Sequence, residues 1–450
     1  MTLGFIGAML KGMARQNYLF TNWAKTQHCR PVRYCTPTRE EELVELVADA
    51  AESGASIRVV GAGHSWSDIV LTDQWLVNLD AYDRLIDVDK EAMTVSVQAG
   101  MRLKVLNEHL AREGLALSAQ GSVAEQSIGG LIGTGTHGTG LRFPNFSAMV
   151  VSLSLVSAEG EIIVLNEADG ELFNAAALSL GALGILSTVC LRVEEAFRLE
   201  ERSWTLSFDE AVQEVDSLIE EHEHLKLWWV PHTDLVQVFS QNRTSAPATR
   251  KSLRERWEAS FGPRLLFAFI LAAGRVMPWL VSSLNWFMAR SHFHNYRRVA
   301  PSHEIFNIPM PPRHDETEWG IAAERTSEAM TRLRALIKEG GHRVNFVIEL
   351  RFVAADEILL SPAYRRASCQ LGAYAARGTR ANKAYFDAFQ ALALEMDGRP
   401  HWGKVVSLGR SALESVVPNL NRFEAIRARM DPRQRFTNAF IERVFQKPRA

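Results

Sequence analysis

Three stretches of the chain carry side chains whose types and spacing could do chemistry. The first is Gly61-Ala-Gly-His-Ser-Trp-Ser-Asp68, a loop of small residues with a histidine at its centre, directly behind the apolar run Ser56–Val60. The second is Gly133-Thr-Gly-Thr-His-Gly138, formally a GxGxxG. The third is Asn345–Val353, NFVIELRFV, in which Glu349 and Arg351 stand two residues apart. Loops of small residues expose backbone N–H groups that can cradle phosphates without a positive side chain. Two such loops predict an extended anionic ligand, against the plainer reading of tight turns.

A Rossmann dinucleotide loop needs a strand before its glycines and a helix after them. Gly138 is followed by TGLRFPNF, where Pro144 and its turn residues oppose a helix, and Trp66 replaces the third glycine of the first loop. Both fail as nicotinamide sites on context. Side chains alternate along a strand, so Phe346, Ile348, Leu350 and Phe352 share one face of NFVIELRFV, and Glu349 and Arg351 share the other. Two opposite charges side by side are either a solvated ion pair worth little or a pair of site residues. The residues alone favour the former.

The elements that must hold these residues follow from periodicity. Leu43, Leu46, Val47 and Ala50 repeat at helical spacing between a capping box predicted from Thr38 and Glu41 and a stop at Gly54. MTVSVQAG alternates as a half-buried strand, and Leu103, Leu106 and Leu110 mark a helix ending near Gly114. AMVVSLSLVSAEGEIIVL reads as two strands joined at Glu159-Gly160. Beyond about residue 197 glycine loops thin out. LKLWWVPHTDLVQVF predicts strand, turn and strand, AERTSEAMTRLRALIKEGG a helix, and PMPPRHDETEW a proline-rich connection.

Composition excludes several classes. The 450 residues hold 50 basic and 52 acidic side chains, net −2, so no strong field favours nucleic acid, and no nucleic-acid-binding module is recognisable. Four cysteines make no disulfide framework, and the Cys29/Cys35 pair lacks a partner pair at zinc spacing, so no metal site is expected. MTLGFIGAMLKGMARQ lacks the basic start of a secretory signal, which makes the cytoplasm the default. In residues 261–289, Arg264, Arg275 and Pro278 interrupt the apolar run and argue against a spanning helix. A pair of packing helices is the plain reading, and peripheral contact with a membrane surface through Trp279, Trp286 and Phe287 is the alternative.

Taken as an ordered series, GAGHSWSD, TVSVQAGMRLKVL, AQGSVAEQSIGGLIGTGTHGTG and GALGIL resemble the flavin domain of the vanillyl-alcohol-oxidase superfamily, a PCMH-type FAD-binding domain. Within it the match is to the sugar-1,4-lactone oxidase branch, which includes L-gulonolactone, D-arabinono-1,4-lactone and alditol oxidases. The likeness continues through NFVIELRFV, HWGK and DPRQRFTNAFIERVF, covers nearly the whole chain, and is weakest over about 197–300. It implies an α+β, two-domain flavoprotein: an FAD domain over 1–197, a substrate-binding cap over 198–400, and a C-terminal segment, 401–450, that returns to the FAD domain.

The resemblance also implies roles. His64 matches the histidine bonded through a ring nitrogen to the 8α-methyl carbon of FAD, chemistry open to a neutral, nucleophilic imidazole. Gly61, Ala62, Gly63, Ser65 and Ser67 would line the pyrophosphate and flavin side. Gly121, Ser122, Ser127, Gly130, Thr134, Gly135, His137 and Gly138 would form a second wall, with Gly184 and Ile185 by the adenosine portion. Glu349 would orient a sugar lactone or polyol, and Arg351 and Lys404 would supply positive charge near the reacting oxygen. Gly121 stands where a small alanine restricts oxygen in the plant dehydrogenase of the family, which favours O2 as acceptor, giving H2O2. The alternatives are a lactone or alditol dehydrogenase serving a quinone or cytochrome, and a non-enzymatic flavin-binding protein. One departure is Gln434, where the family pattern DP-x-G-x-F-x-N has glycine.

Overall fold

A computed structural model describes residues 14–15, 17–250, 261–377 and 380–446. The N-terminal run MTLGFIGAMLKGMARQ falls almost wholly outside them. The first part of the chain builds two sheets. One has four strands in the order Ala14–Arg15, Arg33–Cys35, Trp75–Asn78, Ile57–Val60, the last three parallel. The other has five antiparallel strands in the order Ile162–Asn166, Val150–Val156, Ile185–Arg192, Thr94–Gln98, Leu85–Asp89. The helix Glu40–Ser53 buries Leu43, Leu46, Val47 and Ala50 and ends on Gly54 at φ 69°, the left-handed conformation glycine adopts freely.

The segment expected to form the cap holds one antiparallel sheet of eight strands. Its order is Tyr296–Pro301, Arg198–Ser207, Leu235–Thr244, His224–Trp229, Ile348–Val353, Ser368–Ala376, His314–Ala322, Arg399–Pro400. Strand alternation gives the sheet two faces of opposite chemistry. Leu225, Leu227 and Trp229, with Ile348, Leu350 and Phe352, join a core that takes in residues of helices Phe208–Glu221, Thr326–Glu339 and Arg380–Glu395. The other parity carries Lys226, Trp228, Glu349 and Arg351. Register sets Trp228 and Gly372 opposite Glu349, and Lys226 opposite Arg351.

The chain end closes back on the first part. The buried guanidinium of Arg58 donates to the carbonyls of Ile69, Leu180, Gly181 and Phe436, and Arg443 grips Asp68 through two bonds of 2.7 and 2.8 Å. Gln434, the departure from the family pattern, sits at φ 52°, so the turn keeps the left-handed backbone that glycine would take there. Asp431 accepts the next two backbone N–H groups, of Arg435 and Phe436, and fixes the turn.

Two local expectations are corrected. Thr38 and Glu41 form no capping box: the helix begins at Glu40, and it is Glu42 whose carboxylate accepts the backbone and hydroxyl of Thr38, because Arg39 holds that carboxylate at 2.9 Å. PMPPRHDETEW is not all connection, since His314 opens a nine-residue strand inside the cap sheet. Its acids Glu316 and Glu318 are buried and find partners at the cleft described next.

Candidate active site

A single cleft runs between the first part of the chain and the polar face of the cap sheet. One wall is the Gly61–Ser65 loop. A side chain at Gly61 would put its Cβ 1.9 Å from Ser127 Oγ, so only glycine lets the two loops meet with their backbones bare toward the cleft. At Gly184 a Cβ would come within 2.6 Å of the Val156 carbonyl. The loop is pinned from behind: Asn22 donates to the Ser65 carbonyl at 2.9 Å, Trp66 Nε1 to that of His314 at 2.7 Å, and Ser67 Oγ to that of Trp402 at 3.0 Å. His64 lines the cleft, stacked on Trp23 with centroids 5.6 Å apart. Burial, then Arg102 and Lys404, push its imidazole down to about 4, so the ring is neutral at physiological pH.

The cap supplies the opposite wall. Glu349 is buried and accepts Trp228 Nε1 at 2.7 Å, Arg351 Nη2 at 2.9 Å and the Tyr374 hydroxyl at 2.6 Å. A carboxylate offers about four acceptor positions, so one remains for a hydroxyl in the cleft. Burial opposes the charge, but Arg351, Lys226 and these hydrogen bonds outweigh it and hold the carboxyl at about 2. Arg351 also donates to Ser122 Oγ at 2.8 Å, tying the two walls together, while its Nε is buried without a partner. Lys226 lies against the rings of Trp228 and Phe239 at 4.7 and 4.6 Å.

On the floor, Lys404 Nζ lies 2.6 Å from Glu316, 3.6 Å from Glu318 and 4.4 Å over the Trp66 ring. His137 meets Glu318 at 2.9 Å. His137, Glu318 and His401 bring potential ligand atoms within 4.8 Å of one another. The hydrogen bond already joining two of them, and the lysine beside the acid, make this an ion-pair network rather than a cation site.

The sequence profile of D-arabinono-1,4-lactone oxidase matches residues 189–444, and that of an FAD binding domain matches 31–166. The chain belongs to the D-arabinono-1,4-lactone oxidase family. It is 35% identical to L-gulonolactone oxidase of Bos taurus, covering 95% of this chain and 98% of that one. It is 33% identical to L-gulono-1,4-lactone dehydrogenase of Mycobacterium tuberculosis (95% and 99%), and 35% to D-arabinono-1,4-lactone oxidase of Kluyveromyces lactis (76% and 67%). In fold it is similar to a cholesterol oxidase from B. sterolicum, with TM-score 0.82 at 16% identity over 96% of this chain and 97% of that one. A xylooligosaccharide oxidase from Myceliophthora thermophila C1 gives TM-score 0.72 at 15% identity over 99% and 100%. This family member is therefore an FAD-dependent oxidoreductase acting on CH–OH groups, with the two-domain fold of the vanillyl-alcohol-oxidase type. Its cleft suits FAD: the backbone at Gly61 and Gly63, free of side chains, can face phosphates, and the neutral His64 lies beside it.

Most residues expected at the site reach the cleft: Gly61, Ala62, Gly63, His64, Ser65, Gly121, Ser122, Ser127, Gly130, Thr134, His137, Gly184, Glu349, Arg351 and Lys404. Four do not. Ser67 is turned back onto Trp402, and Gly135 and Gly138 pack against Leu178 and the Gln120 backbone. Ile185 is fully buried in the core, and its neighbour Leu186 lines the cleft instead. Sequence reasoning missed Trp228, Glu316, Glu318, Tyr374 and His401. Parity was the available signal for the two acids, at alternate positions of HDETEW. Tyr374 could be found only through register.

Two buried histidines set an acid limit on the fold. Burial lowers His224 to about 4 and His401 to about 3, whereas unfolded histidine titrates near 6.5. Below that value the unfolded chain binds more protons, so stability falls with pH, by up to about 1.4 kcal/mol per unit and histidine. Urea midpoints measured from about pH 7 to pH 4.5 should drop steadily. His224→Gln, which keeps a donor for the Thr139 carbonyl, should flatten the slope. An equal slope in that variant would remove the assignment.

Proposed function

We propose that the protein oxidises an alcohol carbon of a sugar-1,4-lactone of the L-gulono- or D-arabinono- type, or of a related polyol. The observation that carries this is the pairing of Glu349, which keeps an acceptor position beyond its three donors, with two cationic side chains, Arg351 and Lys404, lining the same cleft. Bound FAD would supply an acceptor, at its N5, for a hydride from the substrate carbon. Glu349 would orient the substrate through its hydroxyls, Arg351 and Lys404 would hold positive charge where negative charge develops, and neutral His64 would bond to the 8α carbon, the two electrons of the broken C–H bond passing to the flavin and from it to O2. A panel of aldonolactones and alditols mixed anaerobically with the enzyme tests this. Rapid bleaching of the yellow colour by a lactone supports it, and indifference to the whole panel sinks it.

Oxygen is the proposed final acceptor, giving H2O2, and Gly121 supports it. A Cβ there would meet the His137 carbonyl at 3.2 Å and Thr136 Cγ2 at 3.4 Å, so alanine fits with shifts of a few tenths of an ångström and narrows the space beside the cleft. Gly121→Ala should slow reoxidation of the reduced enzyme by O2 about tenfold or more, about 1.4 kcal/mol, and more than it slows reduction by substrate. Stopped-flow mixing with oxygenated buffer reads both. Reoxidation over minutes in the unaltered enzyme would favour the dehydrogenase alternative.

One observation supports that alternative and a membrane contact. Helices Phe261–Val276 and Val281–His292 are clamped to the cap through buried Asn285, which donates to the carbonyls of Pro231 and Val344 at 2.8 Å each. These helices and the turn between them nevertheless expose Leu265, Leu266, Phe269, Val276, Trp279, Trp286 and Phe287, seven of the twelve exposed large apolar side chains among the described residues. Among those residues no helix is long and apolar enough to cross a membrane. Such a patch fits the headgroup region of an anionic bilayer, with Arg275 and Arg290 as its basic partners. Co-sedimentation with phosphatidylglycerol vesicles should be lost, by tenfold or more, on replacing Phe269, Trp279 and Trp286 together by serine, about 0.5 kcal/mol or more per side chain. Equal sedimentation of both proteins would exclude it.

A further inference from the structure

The hydrogen bonds on the floor of the cleft do not close without an extra proton. His137 Nδ1 lies 2.9 Å from the Gly138 carbonyl, which can only accept, so that nitrogen carries a hydrogen. Nε2 of the same ring lies 2.9 Å from Glu318 Oε1. A neutral imidazole has one N–H, and an ionised carboxylate has none to give. The contact therefore holds a second proton, on the ring or on the acid.

The surroundings decide where it sits. Burial opposes the ionised form of Glu318, yet His137, then Lys404, hold it well below the ordinary carboxyl range, which leaves the proton on the ring. His401 accepts the Gly403 N–H at 3.1 Å and is kept neutral by burial, so it does not compete as a cation. Arg351 and Tyr374 also face Glu318 electrostatically from neighbouring strands. The second oxygen of Glu318 lies 3.6 Å from Lys404, whose nearer partner is Glu316 at 2.6 Å.

We propose that Glu318 is a positioning residue that holds His137 as an imidazolium and, together with Glu316, fixes Lys404 as an ammonium, so that two cations underlie the place where an alcohol is oxidised. The second proton at the contact stands on hydrogen-bond accounting, and its place on the ring on Lys404 beside the ionised Glu318, whereas the use made of Lys404 rests on the function proposed above. Lys404 then acts as a fixed charge and does not take the hydroxyl proton.

The test uses the FAD-loaded full chain with 15N-labelled histidines, the His137 signal being identified by its loss in His137→Asn. In the unaltered protein both nitrogens of His137 should be protonated, as its contacts with the Gly138 carbonyl and Glu318 require. Glu318→Gln can donate an amide hydrogen to Nε2, so in it the ring should become neutral with its hydrogen on Nδ1. A neutral His137 ring in the unaltered protein overturns the proposal, and needs no variant to fold. Flavin reduction by substrate reads the second half. Its alkaline limit should move down by about one pH unit in Glu318→Gln and return most of the way in Glu318→Asp. An imidazolium signal with an unmoved pH profile would overturn the part assigned to Lys404, and loss of all substrate reduction with the signal intact would point to failure of the function instead.

Discussion

Replacing Glu349 by alanine should slow flavin reduction by substrate about a thousandfold, equivalent to roughly 4 kcal/mol of transition-state stabilisation. The carboxylate gathers three donors from three strands, and it is the acid that neutralises Arg351 in a buried setting. Removing it strands a buried guanidinium, a loss of about 3 kcal/mol or more in stability on top of the lost orientation of substrate. Glu349→Gln separates the two effects. It keeps an acceptor for Trp228 Nε1 and Arg351 and fills the space, so it should lose less stability than alanine and still lose most of the rate, because the charge that offsets Arg351 is gone. Rapid-mixing absorbance under anaerobic conditions gives the rate and urea melts give the stability. A glutamine variant that reduces its flavin within about threefold of the parent rate, less than 1 kcal/mol, would show that Glu349 is only a structural ion-pair partner.

The second large effect is expected at His64. Acid precipitation of the parent protein should leave a yellow pellet, and His64→Ala should leave a colourless one with FAD in the supernatant. The ring is neutral above about pH 4 because it is buried near Arg102 and Lys404, and a neutral ring is the form that can bond to carbon. Turnover in the variant should fall about tenfold, or about 1.4 kcal/mol. A colourless pellet from the parent would remove the bond while leaving FAD binding intact, since the glycine loops do not depend on it.

The order of the loops, and with it the fold and the cofactor, is legible in the sequence because each loop is local. Gly61, Gly63 and His64 lie within four residues, and their meaning does not wait on distant partners. The parity of NFVIELRFV likewise puts Glu349 and Arg351 on one face, since a strand side chain points by position alone. What faces that parity is another matter. Trp228 and Gly372 oppose Glu349 only because three strands from separate parts of the chain align in one register, and Tyr374 reaches the carboxylate across that register. Pairing of this kind is non-local, and no short window of sequence contains all the partners.

The same reason accounts for the misreadings. HDETEW reads as part of a polar connection because its acids find Lys404 and His137 in distant segments of the chain. Ser67, Gly135, Gly138 and Ile185 belong to the right loops but face the wrong way, a matter of tertiary backbone path that composition does not record. The sequence by itself determined which chemistry the chain carries and in what order. The tertiary structure decided which side chains share the cleft and what charge each can hold there, because both depend on burial and on neighbours that only the folded chain brings together.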